Sequence, residues 1–320
     1  MTKQGQENAP ETESSLAAEI GNRGGIQGLP QRLERYSVAH ARSLKMRDYL
    51  QDAHGLEREY QRLSTCGEYL LFRWFYSLDA VRLAALHSCK MHLLCPLCAI
   101  RRGSKLLTSY MGKFGQLLTD YPNLTPVFFT LTIKDGPDLK ERHKHLVKSW
   151  KTYRSRARDA LRGKCAFNQV NKFAGAVWSI ETKIGENSGV WHPHLHGIAM
   201  CTDIPVVERM REEWKDITGD SFVLHARPIY DDPVEAFLEI FKYAVKLSDL
   251  ELRENLEAYE TLRGKRLVDS FGVFRGVEVP EALEDDLSDL EGLPYSEMLF
   301  RYLGASGYVL DHRNHCRQAA

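Results

Sequence analysis

No run of eighteen apolar residues occurs anywhere in the 320-residue chain, and its N-terminus has no basic start followed by an apolar stretch. Neither a membrane span nor a secretory signal is therefore expected, and the cytoplasm is the expected location. No P-loop is present, so ATP-driven chemistry is not expected, and no internal repeat breaks the chain into modules. Net charge is missing too, with 43 Lys and Arg against 43 Asp and Glu. That balance hides segregation. Lys140 to Lys164 is dominated by cations, whereas Glu278 to Glu297 carries only acids, a pattern that suggests a polyanion as partner. Cysteine is sparse and uneven. Seven residues, an odd number crowded toward one end, fit a reduced compartment with metal ligands better than a disulfide framework.

Four of the cysteines, Cys66, Cys89, Cys95 and Cys98, have the spacing C-x22-C-x5-C-x2-C and end in the knuckle CPLC. Four thiolates suit a closed tetrahedral Zn2+ site, and the short knuckle lets two sulfurs approach one ion. His87 and His92 stand close enough in sequence to replace one cysteine as ligand. Such a site would supply on the order of 10 kcal/mol of folding free energy to a segment with little core of its own. Arg101 and Arg102 follow the knuckle on a helix expected to run to about Asp120, in position for phosphate contact.

Residues 1–28 are polar and read as a disordered leader, and Arg32 to Leu63 reads as one helix. Pro126 to Asp135 (PVFFTLTIKD) alternates as a strand does, and the basic stretch after it has helical period. Phe173 to Thr182 and the stretch beginning at Trp191 form a hairpin across KIGENSG. A helix over Val206 to Ile217, a strand over Phe222 to Arg227 and a helix from Pro233 to about Asp249 complete the order β-α-β-β-α-β-α. That order is the ferredoxin-like arrangement of the α+β class, an antiparallel sheet with helices on one face and the other face open to a ligand. The chain divides accordingly into the leader 1–28, a helical and Cys-rich zinc segment 29–121, a catalytic domain 122–255 and a C-terminal extension 256–320.

The hairpin's second strand, WHPHLHGIAM, places His192, His194 and His196 two residues apart and hence on one face, with Leu195 and Ala199 on the other. Imidazoles so arranged form half of a metal site. The helix PVEAFLEIFKYAVKLSDL, wound at about 100° per residue, gathers Phe237, Ile240, Phe241, Ala244 and Val245 on one face. Tyr243 falls opposite, with Glu239 one turn before it and Lys246 after it. A phenol is a poor nucleophile unless its target is polarised and the phenolate stabilised. A divalent metal on His194 and His196 can polarise a phosphate, Lys246 can stabilise the phenolate, and Glu239 can serve as general base to resolve a phosphotyrosine ester.

These residues bring the chain into a known pattern. His194-Leu195-His196, Tyr243-Ala244-Val245-Lys246, FFTLTIKD, the cysteine-rich front and RGKRLVDSFGVF from Arg263 resemble the plasmid rolling-circle replication initiators, the Rep proteins of the HUH endonuclease superfamily. The likeness runs from about Cys66 to Phe274. It implies the single-tyrosine type with a glutamate four residues before the tyrosine, a Mg2+ or Mn2+ cofactor, and attack that joins the tyrosine to a DNA 5′ phosphate. The released 3′ hydroxyl then primes synthesis with a host helicase and replication machinery as partners. His192 stands where relatives more often carry Asn, which leaves the third metal ligand between Glu181, the first choice, and His192. Arg154, Arg156 and Arg158 of the basic helix are expected to add non-specific DNA affinity. Two rival readings are a rolling-circle transposase of the same superfamily and a non-catalytic zinc-containing DNA-binding protein. A zinc nucleobase deaminase is disfavoured because its His-x-Glu and Pro-Cys-x-x-Cys elements are absent.

Overall fold

A computed structural model describes residues 25–221, 223–230, 233–242 and 247–316. The chain forms two compact units, Met1–Leu106 with Val279–Ala320, and Leu107–Glu278. The leader's first 24 residues lie outside the described residues, as do Tyr243 and Lys246.

In the first unit, the stretch read as one helix is two, α1 (Leu29–Leu50) and α2 (Glu57–Thr65). Residues 51–56 turn between them, and Gly55 adopts φ 82°, which no continuing helix tolerates. The segment after Cys66 has a sheet of its own. Strands β1 (Tyr69–Phe75) and β2 (Ala80–Leu86) form a hairpin, and the sheet runs β2-β1-β8-β9 with β8 (Tyr295–Tyr302) and β9 (Tyr308–Cys316). Every ladder is antiparallel. Leu70, Phe72 and Leu83 are fully buried, so the front has an apolar core as well as a cysteine cluster.

A buried charge cluster joins the distant parts of this unit. Asp285 accepts from Arg32 at 3.0 Å and from Arg101 at 2.6 Å, and also from the Leu83 backbone N–H at 2.7 Å. Burial raises the Asp285 carboxyl, but the two guanidiniums outweigh it and hold it well below the usual carboxylate range. Arg101 is 1% exposed and also donates to the Leu283 carbonyl and the Tyr36 hydroxyl. It is therefore a structural residue, which corrects its expected role as a phosphate contact. The acidic segment, through Asp285, neutralises arginines of its own unit.

Helix α3 (Pro96–Asp120) leaves the first unit and enters the second. There the order is β3 (Thr125–Thr132), α4 (Leu139–Ala160), β4 (Phe173–Ile184), β5 (Trp191–Cys201), α5 (Val207–Thr218) and β6 (Leu224–Pro228). Helices α6 (Val234–Phe241) and α7 (Leu252–Leu262) and strand β7 (Val268–Gly272) follow. The sheet is ordered β6-β3-β5-β4-β7 with antiparallel ladders, which is the ferredoxin-like α+β topology with β7 added at one edge. The four-part division read from the sequence cuts across this arrangement. Residues 256–278 complete the second sheet through β7, and residues beyond 279 return to the first through β8 and β9.

Period-two patterning decides which face of the second sheet is which. Val127, Phe129 and Leu131 of β3, Trp178 and Ile180 of β4, and Leu195 and Ala199 of β5 join Trp150 and Tyr153 of α4 and Trp214 of α5 in one core. Each such large apolar side chain contributes about 1.5–3 kcal/mol through burial. The alternate residues, including His192, His194 and His196, point to the opposite face. That face is only partly open, which corrects the expected free surface. Helix α6 lies on it, where the Ser179 hydroxyl donates to the Ile240 carbonyl and Phe237 and Phe241 pack against Phe114 and Tyr110 of α3.

Candidate metal centres

The four cysteines are fully buried in the first unit and close on one point. Cys66 Sγ lies 3.7 Å from Cys95 Sγ and 3.6 Å from Cys98 Sγ, and Cys89 Sγ lies 3.5 Å from Cys98 Sγ. Metal–sulfur bonds of about 2.3 Å in a tetrahedron place sulfurs about 3.8 Å apart, so the set has the size of a closed tetrahedral site. The backbone N–H groups of Cys89 and Cys98 donate to Cys66 and Cys95 sulfurs, and Ser43 Oγ lies 3.2 Å from Cys95 Sγ. Contacts from Cys66, Cys89, Cys98 and Ser43 favour the Cys95 thiolate and hold its pKa well below the ordinary value despite burial. Four cysteines complete the group, so neither His87 nor His92 is needed as a substitute. Gly67 allows the approach: at φ 77°, a Cβ there would sit 2.8 Å from both His40 Nδ1 and Leu97 Cδ2.

In the second unit, Glu181, His194 and His196 converge and are 4%, 5% and 7% exposed. Register explains the meeting, because Glu181 of β4 pairs with His194 on β5 and Ser179 pairs with His196. Each imidazole is anchored through Nδ1. His196 Nδ1 lies 3.0 Å from Thr130 Oγ1, and His194 Nδ1 faces the His192 carbonyl at 3.4 Å. Both Nε2 atoms are thereby turned to Glu181 Oε2, at 3.6 Å from His194 and 3.5 Å from His196. These separations are long for hydrogen bonds but match ligands of one ion, which sit about 3–3.5 Å apart when each is about 2.1 Å from it. Glu181 Oε2 and His196 Nε2 are buried and lack a hydrogen-bond partner among the described residues. Such orphaned atoms fit a cation between them. Burial raises the Glu181 carboxyl, but the two facing imidazoles prevail and hold it well below the usual range.

His192 is placed differently. Its Nδ1 pairs with Asp135, which also accepts from Ser188, and it stands outside the converging group. Of the two candidates left open by the sequence, Glu181 lies in the converging group and His192 does not. Glu239, on α6, brings Oε1 to 3.4 Å from His196 Nε2, while its Oε2 pairs with Lys242, which is 6% exposed. Thr130, Asp135 and Lys242 were not singled out from the sequence. A signal existed for Thr130, since it alternates with the core residues Phe129 and Leu131 and so shares the histidine face.

The cations of α4 lie on the other side of the sheet. Arg154 packs over Trp150 and Trp178 and is desolvated there, which lowers its pKa. Arg156 pairs with Asp216, and Arg142 with Asp220 and Glu141. Arg158 is exposed, and in the first unit Arg102 donates to the Pro280 carbonyl. The helix packs in the Leu195-side core, so its cations do not border the triad.

With this geometry in hand, residues 80–204 match the family described as replication protein. The chain is also 25% identical to the "Protein rep" of Streptococcus pneumoniae serotype 2 (strain D39), across 73% of this chain and 76% of that protein. The chain is thus similar to replication proteins over the matched residues. No solved structure matches it. The interval matched by that family contains Cys89, Cys95 and Cys98 and the whole Glu181, His194 and His196 group, while Cys66 and Glu239 fall outside it. Among the described residues, no helix is long and apolar enough to cross a membrane.

Proposed function

We propose that the chain is a replication initiator that nicks one DNA strand at a plasmid origin through a 5′-phosphotyrosine intermediate on Tyr243. The observation that supports this most is the convergence of Glu181, His194 and His196 with Glu239 beside His196 Nε2. Mg2+ or Mn2+ held by the three would polarise the scissile phosphate and draw charge from it. The Tyr243 oxygen forms a bond to phosphorus and the P–O3′ bond breaks, so the phenol loses a proton and the departing 3′ oxygen gains one. The freed 3′ hydroxyl is a primer for synthesis. At termination, Glu239 takes a proton from water, whose oxygen attacks phosphorus and displaces Tyr243 with a 5′ phosphate left behind. Attack by a 3′ hydroxyl instead rejoins the strand.

Residues of the chain prepare these steps in different ways. The Thr130 hydroxyl and the His192 carbonyl hold the imidazoles by Nδ1, with Nε2 inward. Burial of Glu181 keeps its carboxylate fixed between them. The four cysteines, in this reading, bind structural Zn2+. Arg102, Arg156 and Arg158 supply at most non-specific DNA affinity away from the cut, and a host helicase and replication machinery in the cytoplasm take over the primed strand.

The test is adduct formation on labelled single-stranded origin DNA with Mg2+ or Mn2+. Tyr243→Phe should abolish the adduct while leaving metal and DNA binding nearly intact. Glu239→Ala should form it and fail to clear it, so that adduct accumulates over time. An unchanged activity in Tyr243→Phe would favour a non-catalytic zinc-containing DNA-binding protein. Equal clearance of adduct by wild type and Glu239→Ala would remove Glu239 as the terminating base.

A further inference from the structure

The histidine face of the second sheet continues beyond the triad toward its free edge, β6. Phe128 of β3 stands two residues before Thr130 and directly across from Arg227 of β6, while Thr130 stands across from His225. The Phe128 ring lies nearly parallel to that of His196, with centroids 5.8 Å apart and planes at 21°. Arg227 places its guanidinium carbon 5.6 Å from the Phe128 centroid. An unbroken row of rings and charge therefore leads from a metal-ligand histidine to the sheet edge.

Packing does not require this row. Phe129, the next residue on β3, is fully buried in the core, whereas Phe128 is only half-buried and His225 and Arg227 are exposed. Among the described residues neither His225 nor Arg227 makes an ion pair. On the opposite face, by contrast, Arg142 and Arg156 are matched by acids and Arg154 is covered by indole rings. Cationic charge left uncompensated beside an aromatic ring, and continuous with a phosphate-binding site, has the chemistry that recognises an unpaired nucleotide.

We propose that Phe128, His225 and Arg227 form a single-stranded DNA track that seats the nucleotide next to the phosphate held at the triad. The base stacks on Phe128, and Arg227 and His225 engage the adjoining backbone. This rests on the reading of the triad as a DNA phosphodiester site. Single strands are selected for a geometric reason. The triad side chains are nearly buried, so the phosphate must enter a recess, and only an unpaired base can leave its stack to lie on Phe128.

The experiment uses the full chain and a fluorescently labelled, mixed-sequence single-stranded oligonucleotide, without added Mg2+ or Mn2+. Phe128→Ala should weaken binding about fivefold or more, Phe128→Trp should restore it, and Phe128→Leu should not. Arg227→Ala should weaken binding and reduce the salt dependence by about one counterion. Mn2+ affinity, measured alongside, should be the same in all four variants. Wild-type affinity in Phe128→Ala overturns the track, as does a Phe128→Trp no better than Phe128→Ala. Competition by duplex as effective as by single strand, or loss of Mn2+ affinity in Phe128→Ala, overturns it too. The two readings fail separately. If no tyrosine adduct forms on wild type while the Phe128 series behaves as stated, the nicking reading falls and the track stands; adduct formation with an inert Phe128 series gives the reverse.

Discussion

The two units each gather a buried set of side chains of metal-ligand type, but the sets differ in how completely they close. In the first unit, four sulfurs close on one point and leave no ligand position open. All four come from residues 66–98, while the same unit joins both ends of the chain through β1 and β8, which pair across more than two hundred residues. In the second unit, three donors converge on the face of a sheet whose own core is filled by Trp150, Trp178, Trp214, Tyr153 and Phe129. That core needs no ion to cohere. A closed set of four donors suits an ion that only holds structure together, and an incomplete set suits an ion with a position left for a substrate.

Metal removal is the strongest way to break this contrast. A chelator strong enough to strip the cysteine cluster, or Cys95→Ser, should cost the first unit on the order of 10 kcal/mol. Hydrogen exchange should then show protection lost in β1, β2, β8 and β9 and largely kept in β3, β4 and β5. Four of the five tryptophans lie in the second unit and report on it independently. Protection that survives in β8 and β9 without metal would mean that the cluster is not what ties the chain ends together.

A subtler change sharpens the other half of the comparison. Thr130→Val keeps the shape of a β-branched strand residue but removes the oxygen that anchors His196 Nδ1. Loss of such an outer partner typically lowers metal affinity ten- to a hundredfold. Calorimetric titration with Mn2+ should show that loss while the melting temperature moves little. A large drop in melting temperature would instead place Thr130 among the residues that hold the sheet.

The same contrast explains what the sequence made legible. In the second unit the β4–β5 hairpin is local and the order of strands and helices read from periodicity implied the strand order β6-β3-β5-β4, so Glu181 met His194 through a hairpin register. The first unit hid its sheet. YLLFRWF has no clean alternation, and the strands it needs are in a region that reads as an acidic extension. Arg101 was misread for a related reason, because its carboxylate partner is 184 residues away. The knuckle cysteines were legible since short spacing is itself geometry. Asp135 was not, because only the fold brings it to His192. Tyr243 and Lys246, on which the chemical reading of the sequence leaned most, lie outside the described residues.

The smallest expected effect separates the units by acid sensitivity. His143 of α4 is 5% exposed, and its Nε2 has no hydrogen-bond partner among the described residues. Burial, assisted by the nearby Lys265 charge, lowers its pKa from 6.5 to about 4. The unfolded chain therefore binds a proton at higher pH than the folded unit does. Stability from the neutral imidazole is full above the unfolded value and declines as pH falls from 6.5 toward about 4. By pH ~5 the loss should be about 2 kcal/mol. Acid also releases metal from thiolates, so the first unit weakens in the same range for a different reason. His143→Leu distinguishes the two, because it removes the titrating group without touching a sulfur. Exchange protection in β3 and β5 should become flatter with pH in that variant, while protection in β1 and β8 should fall in acid as in wild type. If β3 and β5 lose protection equally in both proteins, another group sets the acid weakness of the second unit.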